Sequence, residues 1–138
     1  MTRTLKEATD AGETPWNDVL VETRDYVVYR DAYPVTKGHV LFVPQKEDWQ
    51  HVTKCWEAAY KWGTDWVDRE YCDAFNIGMN VGEAAGQTVC YPHIHLIPRR
   101  IGDMSDPRGG VRHVIPHKGN YRLENDNDDY DLGSSVGC

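Results

Sequence analysis

The feature that most limits the fold is a change of hydrophobic period partway along the chain. Apolar residues recur at Val52, Cys55, Trp56, Ala59, Trp62, Gly63, Trp66 and Val67. Spacings of three and four put them on one face, so the pattern predicts a single amphipathic helix over about 52–70. On either side the runs are short and strand-like. Val19–Glu22 and Tyr26–Asp31 read as two strands around a turn at Thr23-Arg24-Asp25. Pro34 to Gly38 breaks the chain, and His39–Pro44 reads as a third strand. Ala74–Val81 and Cys90–Arg99 read as a fourth and fifth, separated by a loop at Gly82–Gly86. The order β-β-β-α-β-β with hairpin-length links predicts an α+β domain: a mostly antiparallel five-stranded sheet and one main helix.

A chain of 138 residues, 40% hydrophobic and 27% charged, suits one domain. No apolar run approaches the roughly 20 residues of a membrane span, so no membrane partner is expected. Residues 1–13 are polar and aperiodic and are expected to be a flexible N-terminus, with no apolar core for a secretory signal. Cys55, Cys72, Cys90 and Cys138 contain no C-x-x-C pair, which fits reduced thiols in a cytoplasmic protein better than disulfides or a Cys-based zinc site. The net charge of -7 disfavours a stable nucleic-acid partner, which needs clustered Lys and Arg. The acid is unevenly placed, with Glu124, Asp126, Asp128, Asp129 and Asp131 close together, so 122–138 reads as an acidic, disordered tail behind a domain at 14–121. A small anionic ligand is compatible with this charge if its site supplies local donors.

The chemistry-bearing stretch is Gly86-Gln-Thr-Val-Cys-Tyr-Pro-His-Ile-His-Leu-Ile-Pro-Arg-Arg100. On a strand, Tyr91, His93 and His95 share one face, while Pro92, Ile94 and Leu96 share the other. A neutral imidazole is a competent nucleophile, and a second beside it can give or take a proton near neutral pH. Residue types alone leave three readings open: two polar residues on the wet face of a strand, a zinc set of His39, His93 and His95, or attack on phosphorus. Against the metal stands the lack of a carboxylate or further ligand at telling spacing.

Two motifs weigh on that choice. Gly86-Gln-Thr-Val…His93-x-His95-Leu-Ile-Pro-Arg resembles the active-site strand of the histidine-triad (HIT) family, H-φ-H-φ-H-φ-φ preceded by G-Q-[ST]-V. Asp31-Ala-Tyr-Pro…Gly38-His39-Val-Leu-Phe-Val-Pro44 resembles that family's D-x-x-P…G-H-x-L-h-x-P segment. The resemblance runs from about Asp18 to Pro116 and implies the HIT-like fold and a homodimer. It implies a nucleotide hydrolase or transferase that forms a nucleotidyl-histidine at the α-phosphate on His93. By the same resemblance His95 contacts the phosphate and leaving group, and His39 packs near the nucleophile. Asp31 holds the ribose, Asn80 lies near the scissile bridge, and Gln87 and Thr88 border the phosphates, Thr88 as a catalytic donor. Tyr91 stands where the triad's first histidine belongs and is expected to meet substrate in its place. Pro92 is unusual but has a counterpart in the His-Pro-His of the galactose-1-phosphate uridylyltransferase branch.

Arg99, Arg100, Arg108 and Arg112 follow the histidines closely. Arginine suits bidentate phosphate binding, so Arg108 and Arg112 are candidate contacts for a polyphosphate; a solvated basic loop is the plain reading. The segment is similar to those of bacterial HIT proteins of the diadenosine-polyphosphate hydrolase kind. The expected ligand is thus an adenine or guanine nucleotide, a dinucleoside polyphosphate first. A phosphoramidate substrate and a non-catalytic nucleotide-binding role are the alternatives. No resident cofactor or metal is expected, although a divalent cation could accompany a polyphosphate. Of the five tryptophans most are expected in the core, with one available to line a nucleobase cleft.

Overall fold

A computed structural model gives the structure for residues 2–120, within which the chain divides into two compact units. The expected acidic tail lies outside these residues.

The first unit runs to Ile101 and is built on a five-stranded sheet. Its strands are β1 (Val19–Glu22), β2 (Tyr26–Arg30), β3 (Val40–Pro44), β4 (Ala74–Gly78) and β5 (Ile94–Arg99). They lie in the order β1-β2-β3-β5-β4, every neighbouring pair antiparallel. Strand β3 is central and buried along its whole length, consistent with its unbroken apolar run. The long helix α2 (Trp49–Asp68) covers one face. Its Cys55, Ala58 and Ala59 pack on Val28, Val40, Phe42, Ile94 and Leu96. The helix begins three residues before the first periodic apolar residue. Asp48 caps it by accepting from the His51 N–H at 2.9 Å, a polar signal that periodicity does not see.

The opposite face carries Val27, Tyr29, Leu41, Val43 and Tyr91, and here the structure corrects the sequence reading. Residues 1–13 were expected to be flexible, yet Leu5–Asp10 form a helix, α1, whose Leu5 and Ala8 are buried in this cluster. Thr4 and Glu7 make a reciprocal capping box at its start. The segment is tied to the end of β3 by the Leu5 N–H to Gln45 carbonyl bond and by Arg3 against Glu47. Six helical residues are too few for a periodicity signal, and tertiary contacts supply what local propensity lacks.

Strand β5 is also shorter than expected. It starts at Ile94, leaving Tyr91, Pro92 and His93 ahead of the ladder, because Pro92 has no N–H to donate. The described part of the second unit, residues 102–120, is a cross-tied loop containing a short 3₁₀ turn, Gly110–Val114. Gly109 sits at φ +95, where a Cβ would strike the Gly119 carbonyl, so only glycine fits there. No described helix is long and apolar enough to cross a membrane.

Candidate active site

The site grows from the sheet's register. The last rung between β2 and β3 pairs Arg30 with Val40, and the chain closes one step further on through the Asp31 N–H to His39 carbonyl bond at 3.1 Å. Leu41 pairs with His95, so His39, two residues earlier, is its diagonal neighbour on the same face. Asp31, His39 and His95 therefore meet although 64 residues separate the first from the last. Their face is that of His93, opposite α2, as the alternation of Tyr91, His93 and His95 against Ile94 and Leu96 predicts.

The hydrogen bonds fix the tautomers. His93 Nδ1 lies 2.9 Å from the Tyr91 carbonyl oxygen. A carbonyl only accepts, so Nδ1 carries the ring proton and the Nε2 lone pair is left for chemistry. His39 Nδ1 accepts from the Val35 N–H at 3.2 Å, which puts its proton on Nε2. That Nε2–H is 2.9 Å from His95 Nδ1 and 3.3 Å from an Asp31 carboxylate oxygen. His95 Nδ1 is then an acceptor, and its own proton sits on Nε2. The outcome is an imidazole with an open Nε2 lone pair beside a neutral imidazole with an N–H to offer, ring centroids 5.4 Å apart.

Burial reinforces this arrangement. His93 is 8% exposed and His39 4%. Burial pushes the His39 imidazole below its usual range, and the nearby Asp31 carboxylate only partly offsets this. Burial, with the neighbouring His39 and His93 rings, takes His95 down to about 4, so it stays neutral through the physiological range. A feature the sequence reading did not single out covers His93: the Trp16 ring, 4.9 Å away between centroids and 5.9 Å from Tyr29.

Other expected site residues fall differently. Tyr91 was expected to meet substrate, but it is fully buried among Leu5, Ala8, Val27 and Val43. Its hydroxyl donates to the Pro44 carbonyl at 2.7 Å, and burial raises its pKa. What it offers the site is its backbone carbonyl, the group that holds His93. Gln87 staples its own loop: its Oε1 accepts from the Gly82 N–H, and its Nε2 donates to the Val89 and Cys90 carbonyls. Asn80 is half-buried two residues beyond Gly78, the partner of His95, and Thr88 is exposed on the loop leading to His93. Arg108 and Arg112 belong to the second unit. There Arg108 pairs with Asp106, and Arg112 donates to the Gly119 and Lys118 carbonyls.

Ligand atoms of Asp31, His39 and His95 all lie within 4.8 Å, the one such set with metal-binding potential among the described residues. It differs from the three-histidine set considered from sequence, since a strand-end carboxylate takes the place of His93. The bonding opposes metal there. A cation on His39 Nε2 would force that ring's proton onto Nδ1, where it would face the Val35 N–H, donor against donor. The set is wired to hold a proton. A concavity of 440 Å³ adjoins Asp31 and His39, walled by Trp62, Trp66 and Tyr71 with Arg30 and Lys37 alongside; neither His93 nor His95 lines it.

Comparison with known proteins places this geometry among relatives. Residues 13–102 match the family model described as HIT domain. The nitrilase and fragile histidine triad fusion protein of Caenorhabditis elegans is 31% identical over 111 residues, 67% of this chain and 22% of the relative. The asymmetrical bis(5'-nucleosyl)-tetraphosphatase of Schizosaccharomyces pombe is 30% identical over 65% of this chain and 53% of its own. The adenosine 5'-monophosphoramidase of Saccharomyces cerevisiae is 30% identical over 59% of this chain and 53% of its own. This chain thus spans about half or less of the length of these relatives. A zinc-bound histidine triad family protein from Mycobacterium smegmatis superposes with a TM-score of 0.60 at 27% identity, over 72% of this chain and 76% of that one.

Proposed function

The chain belongs to the HIT domain family, and from that premise we propose that it hydrolyses a nucleotide at the α-phosphate through a nucleotidyl-histidine on His93. The observation that carries this reading is the 2.9 Å bond from His93 Nδ1–H to the Tyr91 carbonyl, which aims the Nε2 lone pair away from the backbone. Nε2 attacks phosphorus in line, the leaving group departs with its electron pair while accepting a hydrogen bond from His95 Nε2–H, and water then releases a nucleoside monophosphate and a proton to solvent. His95 and the donors of the 82–93 loop, Thr88 among them, meet the charge on the phosphoryl oxygens; loss of one such donor typically costs ~10²–10³ in rate. Asp31 has a carboxylate in reach for ribose hydroxyls.

The substrate is an adenine or guanine nucleotide, with a dinucleoside polyphosphate first, as the name of the fission-yeast relative suggests. One observation favours the phosphoramidate alternative: Arg108 and Arg112 are engaged within their own unit, and a small leaving group has no use for them. The binding-only alternative rests on the missing first histidine, in whose place Tyr91 is a core residue. The reading needs no resident metal; a divalent cation would enter with a polyphosphate. It takes the working form as a cytoplasmic homodimer.

The test is incubation with diadenosine tetraphosphate and, in parallel, an adenosine phosphoramidate, with AMP followed by chromatography. AMP release by the native chain that disappears in His93→Ala supports the mechanism, and the preferred substrate decides between the branches. Release that survives His93→Ala sinks it.

A further inference from the structure

We propose that Trp16 is a charge-stabilising residue of this reaction, its indole face holding the positive charge that develops on the His93 ring when Nε2 bonds to phosphorus. The inference rests on the nucleotidyl-histidine reading. In the first step the Nε2 lone pair forms the N–P bond, while the P–O or P–N bond to the leaving group breaks with its electron pair. That group accepts a hydrogen bond from His95 Nε2–H, whose proton stays on the ring, and is protonated by solvent where it needs a proton. Nδ1 keeps its own proton, because its partner is a carbonyl that cannot accept it outright, so the ring in the intermediate is cationic. When water attacks, its oxygen bonds to phosphorus and one of its protons passes to solvent, while the N–P bond breaks and its electrons return to Nε2, which discharges the ring.

That transient cation forms in a poor place for one. The ring is 8% exposed, and its hydrogen-bond partner is a neutral carbonyl. His95 beside it is held neutral. The Asp31 carboxylate is turned toward His39 Nε2 and the Tyr33 N–H. The group against the ring is Trp16, 4.9 Å between centroids and tilted by 57°. Indole is the best of the aromatic faces for a cation, within a working range of about 6 Å. Its attraction is weak for a neutral ring and strong for a charged one, which is the differential binding that speeds a step.

The N-terminal segment holds Trp16 in place. The linker from α1 to β1 is pinned by the Gly12 N–H to Thr9 carbonyl and Glu13 N–H to Ala8 carbonyl bonds, and by Arg3 bridging Glu13 and Glu47. Pro15, immediately before, restricts the backbone further. The plain alternative is that Trp16 merely caps the apolar cluster of Leu5, Ala8, Tyr29 and Tyr91.

The experiment separates the two. Trp16→Leu keeps apolar bulk and removes the π face, whereas Trp16→Phe keeps a π face. Turnover per folded molecule is measured for both, with folded fraction read from thermal unfolding, against the native chain and His93→Ala. Charge stabilisation predicts that Trp16→Leu lowers kcat about tenfold with KM little changed, and that Trp16→Phe recovers most of it. A second readout needs no Leu variant: Trp16 fluorescence should be quenched as the nucleotidyl enzyme accumulates, and Trp16→Phe should remove that change. Native kcat in Trp16→Leu, or no Trp16-dependent change while the intermediate builds up, overturns the proposal and leaves the mechanism standing. AMP release that survives His93→Ala overturns both.

Discussion

At the scale of single residues the site is organised by protons. The buried His39 and the half-buried His95 share one Nε2–H between them, and His93 gives its Nδ1–H to the backbone. This has a consequence for stability. His95 titrates near 4 in the folded chain and near 6.5 once unfolded, and burial moves His39 the same way. Between those values the unfolded chain binds protons that the native chain refuses, so acid favours unfolding. Stability should be flat above about pH 7 and fall as pH drops through the window from 6.5 toward 4. Thermal unfolding across that range checks this: His95→Asn should flatten part of the slope, and a slope unchanged by the substitution would exclude His95 as its source. Tyr91 shows how a side chain can serve a site it never touches, its ring locked in the core so that its carbonyl stays fixed beneath His93.

At the scale of elements, α2 and the sheet are joined through close contacts that the apolar pattern only outlines. Gly63 counts as apolar in the helical stripe, but its role is room: a Cβ there would come within 2.5 Å of the Phe75 ring on β4. Gly63→Ala should therefore destabilise the fold by about 1–3 kcal/mol through overpacking, despite alanine's better helix propensity. Urea unfolding measures this, and a neutral or stabilising result would mean that Phe75 can turn aside. The helix α1 is the opposite case. It is short, and it exists because its capping box and its seat against Tyr29 and Tyr91 support it together. By ordering the chain up to Trp16, it links a terminal segment to His93.

At the scale of the whole molecule, the first unit alone contains Asp31, His39, Asn80, Gln87, Thr88, His93 and His95, and its end at Ile101 nearly coincides with the end of the family match at residue 102. The arginines proposed for a polyphosphate belong to the second unit. Arg108→Ala combined with Arg112→Ala should reduce cleavage of diadenosine tetraphosphate several-fold if they serve it, and should leave the phosphoramidate rate as it was. Equal rates on both substrates would remove the arginines from the reaction. Steady-state kinetics of the double variant against the native chain decides it.

The sequence by itself determined the order of the strands and the long helix, the faces of the sheet and the family. Each rests on local period, turn residues or fixed spacing, which neighbouring side chains alone encode. It also named Asp31, His39 and His95, which the fold brings together, because the motifs carry them. Three things were decided by tertiary structure: the fold of residues 4–12, the burial of Tyr91, and the meeting of Asp31, Trp16 and the histidines. Each depends on contacts between segments far apart in the chain. Such contacts leave no periodic trace, since a six-residue helix or a lone tryptophan between two elements gains its place from what it packs against.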